Sequence, residues 1–252
     1  NPFVAIIGPA EGASSRLNLA QGFNSLGTTV APLIGGWLIF DQADAASAVR
    51  MPYLGLAMVL TLVAVLVHLS RLPEPPRTEH ITRSHALRHP QLRWGMVAIY
   101  CYVGAEVAVG SLIIGFLHLE SVMGIGEGVA KHYLSLYWGG AMAGRFIGAV
   151  ALNKTIAPTK RLAMMLAIGA AMFILLMALN ATGTVGISAL WPMGLLIAAN
   201  IAVALLSNGE PGRAMALLAT VAVVLLCGVI AGKGPIALWG IVAIGLFNSI
   251  LW

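Results

Sequence analysis

Charge is what this sequence has least of: Asp, Glu, Lys and Arg make up 9% of its 252 residues, against roughly 25% in an ordinary soluble domain. Hydrophobic residues reach 59% and gather in apolar runs of about twenty residues, which no single globular core buries. A soluble globule is therefore excluded. Cysteine is scarce as well, and Cys101 and Cys227 both sit inside apolar runs, so no disulfide framework is expected. No two of the six histidines stand at metal-ligand spacing within a run, so neither a metal nor any other cofactor is expected. H-E-x-x-H, G-x-S-x-G, Walker and C-x-x-C motifs are all missing, which leaves an enzyme or an ATP-driven pump without a motif behind it. The formal charge of +5 lies in short segments between apolar runs and not in a basic patch with interleaved aromatics, so nucleic acid is not an expected partner.

What is there is an all-α integral membrane pattern. A helix stub ends at Gly8 and Pro9, and spans are expected at 17–40, 53–69, 94–118, 132–152, 162–179, 185–206, 214–231 and from Pro235 onward. That makes about eight spans plus a stub, in a lipid bilayer and as a monomer. The chain opens without Met and stops at Trp252 inside an apolar run, so both ends are expected to be cut points in a longer protein. Residues 71–93 form the one long polar connection, with Pro73, Pro75 and Pro76 and five arginines, and read as a linker between two bundles. Ten Lys and Arg fall on the side of this linker and three, Arg50, Lys131 and Lys233, on the other. The positive-inside rule then puts the linker in the cytoplasm and the chain in the cytoplasmic (inner) membrane.

The span 94–118 carries one carboxylate, Glu106, twelve residues from Trp94 and twelve from His118. At 1.5 Å per residue it lies about 18 Å from either end, near the midplane of a core roughly 30 Å thick. A charge there costs about 2.5–3.5 kcal/mol on insertion scales and normally faces a bundle interior or a water-filled cavity. Glu106 reads as a proton-binding group. The alternative is a structural ion pair with Arg145, the one basic residue inside a span. Arg145 is nine residues from Lys154, about 13 Å from the cytoplasmic end, which sets it off the depth of Glu106.

Other polar residues are few. Gln21, Asn24 or Ser25, and Thr28 recur at helical spacing on the span 17–40. Such groups both donate to and accept from hydroxyls, as a neutral polyol requires, and equally serve as glue between membrane helices. Gly140, Gly144 and Gly148 make a small-residue face for close helix packing. Trp138 on the same span is a candidate platform for a sugar ring.

NPFVAIIGP followed by RLNLAQGFNSLG resembles the end of the fourth and start of the fifth helix of the fucose/galactose/glucose:proton symporters of the major facilitator superfamily. YVGAEVAVGS and then YWGGAMAGRFIG resemble that family's seventh and eighth helices, and GLFNSILW its tenth. Glu106 points to the glucose/galactose branch, since the fucose branch tends to carry Gln there. The resemblance implies two helical bundles, with 1–70 ending the first, 71–93 the cytoplasmic linker and 94–252 part of the second. It implies proton-coupled symport of a neutral hexose such as glucose or galactose, with Gln21 and Asn24 lining the sugar site, Glu106 facing the cavity and Asn248 in the tenth-helix motif. With Trp138 these are the expected substrate-binding residues, and Glu106 and Arg145 the candidates for the proton or an ion pair. In the family an acidic pair precedes the residue matching Asn1, so the coupling carboxylates are expected upstream. The family needs two spans between GRFIG and GLFNS where this chain has four, which implies an inserted helix pair around 162–206. Alternative functions are a drug or organic-anion carrier of the same superfamily, and a non-transporting membrane sensor or scaffold.

Overall fold

A computed structural model describes residues 2–35, 38, 49–70, 87–181 and 190–249, all but the connecting turns helical. The elements are α1 (Pro2–Ile6), a 3-10 turn (Ala10–Gly12), α2 (Ala13–Gly35), α3 (Arg50–Leu69), α4 (Pro90–His118), α5 (Glu127–Ala151), α6 (Pro158–Ala181), α7 (Trp191–Leu206), α8 (Pro211–Ala231) and α9 (Pro235–Phe247). Proline sets many of the starts. Pro90, Pro158, Pro211 and Pro235 each open a helix, where the missing N–H is no loss and φ is already helical. Helices lie at the expected positions to within several residues, although residues 36–37 and 39–40, most of the segment expected as a linker (71–86) and residues 182–189 lie outside the described residues. Among the described residues four helices, α3, α4, α6 and α8, are long and apolar enough to cross a membrane, fewer than the eight spans expected; α7 and α9 are apolar but shorter.

The core is built around α5, on which fifteen residues are buried. One cluster joins Ile147 and Leu136 to Met165 of α6, Met193 and Ile197 of α7, Leu218 of α8 and Leu246 of α9. A second joins Tyr137 to Ile113 and Leu117 of α4 and to Leu238 and Ile241 of α9. Helix α2 lies along the remaining side of α5. Gly22 of α2 faces the Phe146 ring, and Gly139 of α5 faces Thr29. Phe23 and Phe146 meet edge to face at 5.5 Å, and the Ser15 hydroxyl donates to the Ala149 carbonyl at 2.6 Å. Arg16 ties α1 to α2 by donating to the carbonyls of Val4 and Ala5, which the end of α1 otherwise leaves without partners, and to that of Pro9. By contrast, none of α3 is buried, and its Met51, Leu54, Leu60 and Leu66 are exposed. Only a bilayer makes such a surface cheap.

Loop contacts give the direction of each helix. Gly234 N–H donates to the Val122 carbonyl at 2.9 Å, so the turns after α4 and after α8 share one face. Lys154 reaches Glu210 at 2.6 Å, so the turns after α5 and after α7 share the opposite one. Helices α6 and α7 therefore run out and back and leave the direction of the chain unchanged. Asn208 and Gly209 make that last reversal with φ of 53° and 72°, a conformation that Asn and Gly tolerate best.

The Lys154 ammonium holds the Glu210 carboxyl below the usual carboxylate range, by hydrogen bond first and charge second. A lowered folded value contributes stability above the unfolded carboxylate range and loses it as the pH falls through the lowered one. Because both side chains are exposed, the contribution is small. Glu210→Gln in the full-length protein is expected to lower the thermal midpoint slightly at neutral pH and not at all near about pH 3. Scanning fluorimetry in detergent reads this, and a deficit that grew on acidification would contradict it.

Candidate functional site

Glu106 is 6% exposed, in the middle of α4. Its Oε1 accepts from Arg145 Nη2 at 2.5 Å, and Arg145 is 2% exposed. The stagger of α4 and α5 and the length of the arginine side chain close the gap in depth that residue counting predicts. Arg145 Nη1 in turn donates to the Ser25 hydroxyl of α2, which is fully buried. Helices α2, α4 and α5 thus converge on one charge pair.

Two tyrosines frame it. Tyr102, one turn before Glu106, lies close enough to feel both charges, and its hydroxyl donates to the Asn248 carbonyl at 3.0 Å. The Tyr137 hydroxyl donates to the Glu106 backbone carbonyl at 3.2 Å, an extra bond across the α4–α5 seam. Tyr102, Glu106, Tyr137 and Asn248 line a cleft of about 180 Å³ together with Ala222 and Leu226 of α8. Small-molecule pockets usually measure roughly 300–1,000 Å³, so this cleft is smaller than such a pocket. Taking two charges out of water costs several kcal/mol each, which good geometry and added hydrogen bonds offset. Ser25 supplies such a bond here.

The remaining expected residues are placed as follows. Gln21 is buried one turn before Ser25 on the same face of α2, whereas Asn24 is exposed. Successive positions on a helix point about 100° apart, so of Asn24 and Ser25 it is Ser25 that joins the charge pair. Trp138 is half-buried and packs edge to face on Tyr137 at 5.0 Å. Its indole covers Gly110 of α4, where an added Cβ would come within 2.8 Å of the ring. Gly140 and Gly144 face α9 and are packing residues. Asn200 of α7 is a buried amide that sequence reasoning missed; it donates to the Leu246 carbonyl at 3.2 Å, just before Asn248. No group of three or more His, Cys, Asp or Glu able to hold a metal occurs among the described residues.

Residues 4–231 match the family model described as Major Facilitator Superfamily. The chain is 36% identical over 262 residues to the glucose/galactose transporter of Brucella abortus, an alignment covering all of this chain and 50% of that protein. It is 32% identical over 222 residues to the L-fucose-proton symporter of Escherichia coli, covering 75% of this chain and 49% of that one. A crystal structure of the Escherichia coli fucose:proton symporter superposes with a TM-score of 0.51 at 25% identity, over 99% of this chain and 62% of that one. The chain spans about half the length of the curated relatives it matches.

Proposed function

The chain belongs to the major facilitator superfamily, and from that membership we propose that it is the central part of a secondary active transporter that takes up a neutral hexose, glucose or galactose, together with a proton. It sits as a multi-pass protein in the cytoplasmic (inner) membrane, with about eight spans plus α1, a cytoplasmic linker at 71–93 between two bundles, and α6 with α7 as the inserted pair. Gln21, Asn24, Glu106, Trp138 and Asn248 hold the sugar. The pairing of Arg145 with Glu106 carries the reading. It neutralises the one Arg or Lys buried in the middle of a described helix, so the wall presents hydroxyls, amides and a balanced charge pair. Neutral polyols fit such a surface, whereas an organic anion needs an uncompensated cation. The names of the relatives support the same substrate class.

The test uses the full-length protein in weakly buffered, de-energised cells. Adding galactose or glucose is expected to make the medium alkaline as protons enter with the sugar, and Glu106→Gln is expected to abolish the response. No pH change with galactose, glucose or fucose, despite confirmed membrane expression, would sink sugar:proton symport.

A further inference from the structure

A second cavity lies away from the Glu106 cleft and shares none of its lining. It sits between α2, α5, α6 and α7, with a volume of about 90 Å³, well beyond the roughly 10–15 Å³ that one water requires. Met142, Met172, Leu176, Met193 and Ile197 make its walls, and Leu175, 51% exposed, marks where it opens on the outer surface of α6. In a membrane that surface meets lipid.

Three polar residues line this apolar space, and two of them hold an unpaired atom. Ser135 is 9% exposed and its hydroxyl has no hydrogen-bond partner; one ring nitrogen of His132, Nδ1, is likewise buried without one. They stand three residues apart on α5 and therefore share a face. A buried polar atom left unpaired costs about 1–3 kcal/mol. The third polar residue, Thr29, already donates to the Ser25 carbonyl at 2.7 Å. Among the other buried orphans, Asn18 and Asn200 each use their amide nitrogen and line no such cavity.

We infer that this cavity binds the hydroxyl end of a membrane-soluble alcohol, which enters from the bilayer and exchanges hydrogen bonds with Ser135 and His132 while the rest of its apolar chain stays in the opening beside Leu175. A hydroxyl both donates and accepts, as Ser135 does, and a histidine ring nitrogen takes either role according to its tautomer. No Lys or Arg lines the cavity, so a carboxylate or phosphate head would be stranded in apolar surroundings at high cost. Methionine suits a hydrocarbon body of no fixed shape, because its flexible thioether chain repacks around it.

The full-length protein in detergent–lipid micelles is labelled with a photoactivatable diazirine analogue of octanol, and the labelled peptides are mapped by mass spectrometry. Labelling of α5 and α6 around the cavity is expected to saturate and to be displaced by excess octanol but not by octane. Ser135→Ala should weaken it roughly fivefold, the worth of one neutral hydrogen bond, and His132→Phe by a similar factor. The unliganded Ser135→Ala protein should be no less stable than wild type, since it loses an unpaired buried hydroxyl. That opposite movement of binding and stability separates a site from a merely structural serine. Labelling that never saturates, that octane displaces equally well, or that Ser135→Ala leaves unchanged would leave the cavity to water or lipid tails and overturn the inference.

Discussion

Glu106→Gln is expected to destabilise the full-length protein by about 3–5 kcal/mol, because it strands a buried guanidinium. Arg145→Met should cost a comparable amount by stranding the carboxylate. The double variant removes both charges and should recover most of the loss, since a buried pair exchanged for neutral groups is often close to energetically neutral. Thermal midpoints in detergent at neutral pH read all three. Additive losses in the double variant would refute a mutually compensating pair.

The second large effect belongs to the α5–α9 seam. A Cβ at Gly144 would meet the Ser249 hydroxyl, lie 2.5 Å from Ser249 Cβ and 2.6 Å from the Leu246 carbonyl oxygen; at Gly245 it would strike the Tyr137 backbone carbonyl. Backbone cannot swing aside as a side-chain tip does, so Gly144→Val and Gly245→Val must push the helices apart. Overpacking of this kind costs about 1–3 kcal/mol and sometimes more, and Gly245 on α9 lies three residues before Asn248, so the cleft wall should shift with it. Gly115→Ala is the control, with nothing within 4 Å of the new methyl, and should be neutral or slightly stabilising through helix propensity. Equal midpoints for Gly144→Val and Gly115→Ala would show that the seam is looser than described.

How far the site could be read in advance depended on whether a property was local. Glu106 stood out because a lone carboxylate centred in an apolar run needs no knowledge of its neighbours to be conspicuous. Its pairing with Arg145 was legible only as the alternative reading, since counting residues to a helix end sets the two at different depths and ignores helix stagger and the reach of an arginine. Between Asn24 and Ser25 spacing could not choose, because both lie near one polar stripe and only the seating of α2 against α5 buries one and exposes the other. Asn200 carried no signal beyond its residue type, and the significance of Ser135 and His132 rests on what surrounds them.

The sequence by itself determined the membrane class, the start of the last helix at Pro235, the small-residue face of α5 and the place of Glu106 in the middle of its span, all of which follow from runs, spacing and backbone chemistry within one segment. Tertiary structure alone decided that Arg145 joins α2 to α4, that Tyr137 and Tyr102 frame the pair, and that α6 and α7 enclose a cavity with unpaired polar atoms. These are meetings of side chains distant in sequence, and in an apolar solvent a polar group's partner is set by which helix faces pack together, information that no single apolar segment contains.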